Sequence, residues 1–168
     1  MPTFTTGDMW TTFTETDLFL ITTNATIKRN GALVMGRGIA RQARDRFPGL
    51  DAALGKQIKN VCGSPSARFR SGQGQYGLLV SPRWPKAKLG AFQVKWHYSQ
   101  PASLELIRHS VATLCAWCTA HPDALVALNF PGIGNGRLCR EDVLPILRQL
   151  PEQVVIWEYP PAGREKRQ

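Results

Sequence analysis

Apolar residues fall into short runs separated by stretches of helical period. Leu18-Phe19-Leu20-Ile21-Thr22-Thr23 reads as a buried strand, and Ile39, Ala43 and Phe47 recur at the spacing of a helix over 39–47 that Pro48-Gly49 stops. A shorter helix follows over 51–60, then a polar loop over 63–74. Residues 76–81 and 91–96 read as neighbouring strands joined by a basic, proline-bearing connection over 82–90. Pro101 is expected in the first turn of a long helix reaching about His121, with Leu104, Ile107, Val111, Leu114 and Cys118 as its buried stripe. A continuous apolar strand over 124–130, a helix over 141–150 and a last strand over 154–157 complete the pattern. Strands alternating with helices predict an α/β fold, a three-layer α/β/α sandwich with a mixed central sheet. Residues 1–160 are expected to form one domain and 161–168 a disordered basic tail.

Between these elements lie two glycine-rich stretches, Asn30-Gly31-Ala32-Leu33-Val34-Met35-Gly36-Arg37-Gly38-Ile39-Ala40 and Pro131-Gly132-Ile133-Gly134-Asn135-Gly136. Each leaves an apolar strand and runs toward a helix. Phosphate approaches bare backbone N–H groups where no Cβ intervenes, and a following helix N-terminus adds about half a positive charge of dipole. Ligands of such folds gather outside the carboxyl ends of central strands, where both stretches fall. Together they are expected to hold the two phosphates of one diphosphate. The first stretch lacks the Gly-Lys-Ser/Thr of a Walker A motif and imitates the dinucleotide fingerprint only loosely, so a packing turn competes with the ligand reading. The second has three glycines at alternate positions, more than a turn requires.

At 168 residues, 43% of them hydrophobic, the chain is sized for one well-buried core. No apolar run approaches the roughly 18–20 residues of a membrane span, and the first ten residues lack a secretory pattern. A cytoplasmic protein with no membrane partner is expected. Cys62, Cys115, Cys118 and Cys139 are too scattered for a disulfide scaffold, and Cys115-x-x-Cys118 lies inside a predicted helix without a second ligand pair, so core packing is expected there. The formal charge of +9 changes the picture more. The tail residues Arg164, Glu165, Lys166 and Arg167 supply little of it, and a basic body attracts polyanions, which makes nucleic acid a candidate partner. Arg83, Trp84, Lys86 and Lys88 in one loop fit either a stacking and phosphate-binding patch or a solvated hairpin tip.

The ordered motifs resemble those of macrodomains, the ADP-ribose-binding fold, through nearly the whole chain. Gly7-Asp8-Met9 is similar to the family's opening Gly-Asp-Ile, Thr22-Thr23-Asn24-Ala25 stands at its first asparagine-bearing strand end, and the second glycine stretch resembles the loop that wraps the distal ribose and phosphates. The branch that contains the DarG DNA ADP-ribosyl glycohydrolases and the terminal ADP-ribose protein glycohydrolases is the more similar one. Its motifs are matched by the first glycine stretch, by Lys95-Trp96-His97-Tyr98 with Leu104-Glu105-Leu106-Ile107, and by Gly132-Ile133-Gly134-Asn135-Gly136-Arg137-Leu138. Leu33 and Arg137 replace glycines of that pattern and Val94 a threonine. The acidic residue that the protein glycohydrolases place in the second loop has no counterpart between Gly132 and Arg140.

The resemblance implies an ADP-ribosyl glycohydrolase, with DNA a candidate acceptor, that needs no cofactor and no metal. A phosphatase for ADP-ribose 1″-phosphate and a non-catalytic reader of ADP-ribose or nucleic acid are the alternatives. ADP-ribose or an ADP-ribosylated substrate is the expected partner of a monomer. Lys95 would act at the anomeric carbon. Flanked by Val94 and Trp96, its amine is open to partial desolvation, which would lower its pKa, whereas a lysine ending a strand is ordinarily a solvated charge. Asn30 would orient the distal ribose, or else be a turn residue before Gly31. His97 would support Lys95 or meet a phosphate, with packing at a strand end as the other reading. Asp8, beside Met9, would contact the adenine or serve as a turn residue. Asn24, Gly31, Met35, Gly36, Gly38, Ile39, Ala40, Pro131, Gly132, Ile133, Gly134, Asn135 and Gly136 complete the expected binding set.

Overall fold

The computed structural model describes residues 1–63, 74–80 and 88–160. Six strands form one mixed sheet: β1 (Thr3–Thr6), β2 (Leu18–Thr23), β3 (Leu78–Val80), β4 (Leu89–Gln93), β5 (Val126–Asn129) and β6 (Val154–Glu158), in the order β1-β6-β5-β2-β4-β3. All neighbours run parallel except β3, which lies antiparallel to β4 at the outer edge. Among the described residues there are four α-helices, α1 (Gly38–Arg46), α2 (Leu50–Cys62), α3 (Leu104–Ala120) and α4 (Arg140–Leu147). None of these is long and apolar enough to cross a membrane.

β2 shows how the sequence builds the three layers. Its side chains alternate between two cores. Phe19 and Ile21 pack with Ile39 and Ala43 of α1, Leu54 and Ile58 of α2, and Met9 and Trp10 of a 3-10 turn (Met9–Thr12). Leu18 and Leu20 pack on the other face with Ile107, Val111 and Leu114 of α3 and Val143 and Leu147 of α4. A strand covered on both faces requires the continuous apolar run that residues 18–21 provide. Cys118 lies in the second core, where burial pushes its thiol up to about 11, and the Cys115 thiol donates to the Gln149 carbonyl at 3.6 Å.

Several boundaries differ from those expected. The strand expected over 91–96 begins at Leu89 and ends at Gln93, because the Val94 carbonyl accepts from Ser103 N (3.0 Å) and the chain turns out of the strand, although the Trp96 carbonyl still accepts from Ala25 N (3.2 Å) just past β2. Pro101 lies outside α3. Ala102 N donates to the Gly136 carbonyl (2.9 Å), holding this segment against the second glycine stretch, and the helix starts after Ser103, whose hydroxyl accepts from Leu106 N. The strand expected over 124–130 narrows to Val126–Asn129, and α4 ends at Leu147, three residues early, in tight turns through Gln149 and Leu150. β1, unforeseen, is a partly exposed edge strand. Most of the expected polar loop, Arg83, Trp84 and Lys86 of the basic connection, and the expected tail lie outside the described residues. Lys88 precedes β4, at the sheet end away from the strands' carboxyl termini, and donates to the carbonyls of Phe13 and Thr14.

Two contacts fix the first glycine stretch against α2. Gly55, in the middle of α2, packs so closely that a Cβ there would lie 1.9 Å from the Gly31 carbonyl oxygen, and Leu33 N donates to the Asp51 carbonyl (2.9 Å).

Candidate functional site

The site begins where the two central strands part. β2 and β5 pair through Leu20 and Leu128, and beyond them the Asn129 amide takes over, accepting from Thr22 N (3.0 Å) and donating to Thr22 Oγ1 (2.8 Å). Outside these carboxyl ends lies a cleft of about 590 Å³, within the usual range for small-molecule sites. Thr22, Thr23 and Asn24 line it from β2, residues 34–40 from the first glycine stretch, and Val94, Lys95, Tyr98 and Ser99 from the chain after β4. Asn129, Gly132, Ile133, Asn135, Gly136 and Arg137 complete the wall.

The glycines divide into those the fold needs and one it does not. A Cβ at Gly132 would lie 2.8 Å from Ile107 Cδ1, and one at Gly136 would lie 3.0 Å from Ala102 Cβ. Gly38 and Gly134 have positive φ, 58° and 68°, which favours glycine whatever the space. Gly36 meets neither demand. Its φ is not in the left-handed range, and an added Cβ would meet no atom within 4 Å. Across from it a Cβ at Gly38 would lie 3.6 Å from Asn135 Nδ2, so the two stretches approach each other over the cleft. Helix α1 starts at this point without a side-chain cap, and its first residues, Gly38, Ile39 and Ala40, line the cleft at the positive end of the helix dipole.

Three cations, Arg37, Lys95 and Arg137, line the cleft, and no carboxylate does among the described residues. Lys95 Nζ donates to the Asn135 carbonyl at 3.0 Å, reaching across to the second stretch. Partial burial, then the nearby charges of Arg137 and Arg37, hold its pKa below the usual lysine value. Arg137 has φ 60°, the left-handed region, and is the one such non-glycine residue among those described.

A buried polar network ties the walls together. Gln93, fully buried, accepts from the backbone N–H groups of Tyr76 (2.8 Å) and Gly77 (3.0 Å) and donates to the carbonyls of Gly74 (2.7 Å) and Lys95 (3.1 Å). The Tyr76 hydroxyl donates to the Asn24 carbonyl (2.6 Å) and pairs with Thr23 Oγ1, and burial raises its pKa. One segment, 74–77, therefore braces both the end of β2 and the backbone of Lys95.

Other expected residues lie elsewhere. Asn30 is exposed at the tip of a turn closed by Lys28 N to the Ala32 carbonyl, and its Oδ1 accepts from Ala32 N (3.0 Å). It does not line the cleft, nor does Gly31 beside it; Asn24, Asn129 and Asn135 do, the Asn24 amide being held by Val34 O and Thr26 N. Asp8 accepts from Trp10 N and caps the 3-10 turn, Met9 is buried in the core, and Pro131 is buried next to the lining. Gly134 is exposed at the loop crest, where a Cβ would meet open space. His97 is bonded to Ser99 through Nδ1 and stacks near Tyr98, apart from Lys95. Arg37 and Arg137 sit inside the two motifs and were legible as charges within glycine stretches. Asn129, a polar end to an apolar run, was a weaker signal, as was Tyr98 at the end of the Lys95-Trp96-His97-Tyr98 motif, and Tyr76 and Gln93 gave none.

No protein-family model and no curated protein matches the chain. Solved structures do. The chain is similar to the macrodomain of Mycobacterium tuberculosis DarG, with 28% identity and a TM-score of 0.67, covering 96% of this chain and 99% of that one. The macrodomain of Thermus aquaticus DarG matches at 25% identity and a TM-score of 0.66 over the same shares. Thermosipho africanus DarTG in complex with ADP-ribose shares the fold at 17% identity and a TM-score of 0.64, covering 96% of this chain and 43% of that one.

Proposed function

This chain has the macrodomain fold, and from that premise we propose that its cleft binds ADP-ribose and hydrolyses ADP-ribosyl linkages, with DNA as the acceptor that the charge favours. Gly36 carries the reading: its backbone lies open to the cleft beside an uncapped helix start, with neither packing nor φ requiring a glycine there. The diphosphate lies against this stretch and the second one, where N–H dipoles and the α1 terminus offset its charge. Asn24, which lines the cleft where Asn30 does not, is the residue we assign to the ribose.

Hydrolysis breaks the bond from the anomeric carbon to the acceptor; oxygen from water ends on that carbon and its proton on the acceptor. Lys95 acts at this carbon, as nucleophile or as base toward the water, and its lowered pKa increases the neutral form that either role needs. The negative charge of the bound diphosphate, held in place by the N–H dipoles of the glycine stretches, stabilises the oxocarbenium-like centre, and among the described residues no carboxylate in the lining shares that role.

The test is turnover of ADP-ribosylated DNA, ADP-ribosylated protein and ADP-ribose 1″-phosphate, each offered separately. Release from DNA is expected, and Lys95→Ala is expected to slow it at least about a hundredfold with a far smaller change in ADP-ribose affinity, since a group acting mainly in the transition state affects turnover most. An undiminished turnover number in Lys95→Ala removes the catalytic role. Turnover of the phosphorylated nucleotide alone makes the protein a phosphatase, and tight ADP-ribose binding without turnover makes it a reader.

A further inference from the structure

We propose that Tyr98 is the platform on which the acceptor base of an ADP-ribosylated single strand stacks, with Arg37 and Arg137 meeting the strand's phosphates. This rests on the reading of the cleft as an ADP-ribosyl site and adds the subsite beyond the distal ribose.

Tyr98 lines the cleft and is nevertheless 55% exposed, so an aromatic ring stands uncovered at the mouth. Tyr98 and Lys95 both line the cleft, so a group leaving the anomeric carbon at Lys95 passes the mouth at which Tyr98 stands. The ring is also held in place. Residues 97–100 form a turn closed by Gln100 N to the His97 carbonyl (3.1 Å), Tyr98 N donates to Thr26 Oγ1 (3.0 Å), and the His97 ring lies 4.7 Å from the phenol ring at 32°. His97 is itself fixed by Ser99, whose N–H donates to Nδ1 (3.2 Å). A ring ordered before binding loses little entropy when a base stacks on it.

The surrounding charge selects the partner. The lining carries Arg37 and Arg137 besides Lys95 and, among the described residues, no carboxylate, so the cleft favours an anionic partner. Guanidinium groups pair with phosphate oxygens, and an exposed aromatic flanked by cations is the arrangement by which single strands are held.

The experiment titrates the slow Lys95→Ala protein with free ADP-ribose, with an ADP-ribosylated single-stranded pentanucleotide and with an ADP-ribosylated peptide. The pentanucleotide conjugate is expected to bind about tenfold more tightly than free ADP-ribose, in line with stacking of one base. Adding Tyr98→Ala should bring that ratio to about one, whereas Tyr98→Trp keeps it. Removing the charge of Arg37 or Arg137 should flatten the salt dependence of the conjugate alone. A ratio that survives Tyr98→Ala, a pentanucleotide conjugate no tighter than ADP-ribose, or an equal Tyr98-dependent gain for the peptide overturns the proposal while the ADP-ribosyl site stands. Failure of free ADP-ribose to bind overturns both.

Discussion

Gly36 separates two demands that most glycines meet together. Because its φ is not left-handed and open space surrounds it, Gly36→Ala should keep or slightly raise stability, by up to about 1 kcal/mol through a less flexible unfolded chain. The same methyl would stand where the diphosphate approaches, and ADP-ribose affinity should fall at least tenfold in calorimetry. Thermal unfolding run alongside separates the two effects. Arg137 offers the converse case. Its left-handed backbone costs about 1–2 kcal/mol, of which glycine's extra unfolded-state freedom returns about 0.5–1, so Arg137→Gly should stabilise the fold by about 0.5–1 kcal/mol. Its charge also lowers the Lys95 pKa. Turnover that needs the neutral amine rises with pH through that depressed pKa, and Arg137→Gln should move the rise to higher pH. A pH profile of kcat with an unmoved midpoint would show that Arg137 does not tune Lys95. Motif spacing made these residues legible, but spacing alone selected Asn30. Two backbone hydrogen bonds close the 28–32 turn and carry Asn30 out of the cleft, a local pairing that no residue pattern announces.

At the level of elements, the strands and helices with a continuous apolar run or a clear helical period were legible, β2, α1 and α3 above all. Elements set by pairing were not. β1 is Thr-Phe-Thr-Thr at a sheet edge and takes its structure from β6, and Pro101, a residue type that favours a helix start, stays outside α3 because its neighbour Ala102 is committed to Gly136. Least legible was the segment 74–77, which belongs to the site through Gln93 and Tyr76 alone. Gln93→Leu would leave three buried backbone groups and the partly buried Lys95 carbonyl without their partner. Each such loss costs about 1–3 kcal/mol, so the variant should lose several kcal/mol in denaturant unfolding. Tyr76→Phe removes one hydroxyl from Asn24 and Thr23, and should cost about 1–2 kcal/mol with a measurable loss of ADP-ribose affinity.

For the molecule as a whole, the location of the site follows from sheet order. Sequence placed both glycine stretches at strand ends, but it is the adjacency of β5, β2 and β4 that puts Lys95 within 3.0 Å of the Asn135 carbonyl. Ligand binding to this folded arrangement alone should raise the thermal midpoint. At a hundred times Kd the linkage is about 2.7 kcal/mol, or about 5–10 °C for a chain of this size. Calorimetry without binding at millimolar ADP-ribose would remove the functional reading. The net charge of +9 makes a second whole-molecule expectation: DNA-substrate affinity should fall steeply with salt, while that of free ADP-ribose should not. A flat salt profile with DNA would favour protein or small-nucleotide substrates.

The contact of Gly55 with the Gly31 carbonyl gives a helix on the outer layer direct leverage over chemistry it never touches. A methyl at Gly55 starts 1.9 Å from that oxygen, and reaching an ordinary separation of about 3.4 Å means moving the 28–32 turn or the helix by more than an ångström. The turn is continuous with Val34, Met35 and Gly36, so the displacement passes along the chain into the backbone that lines the cleft. Misplacing a reacting group by about 1 Å is enough to slow a reaction about a hundredfold. Gly55→Ala, usually a mild change inside a helix, should thus behave as a remote inhibitor of turnover, with steady-state kinetics falling further than the loss of stability alone accounts for.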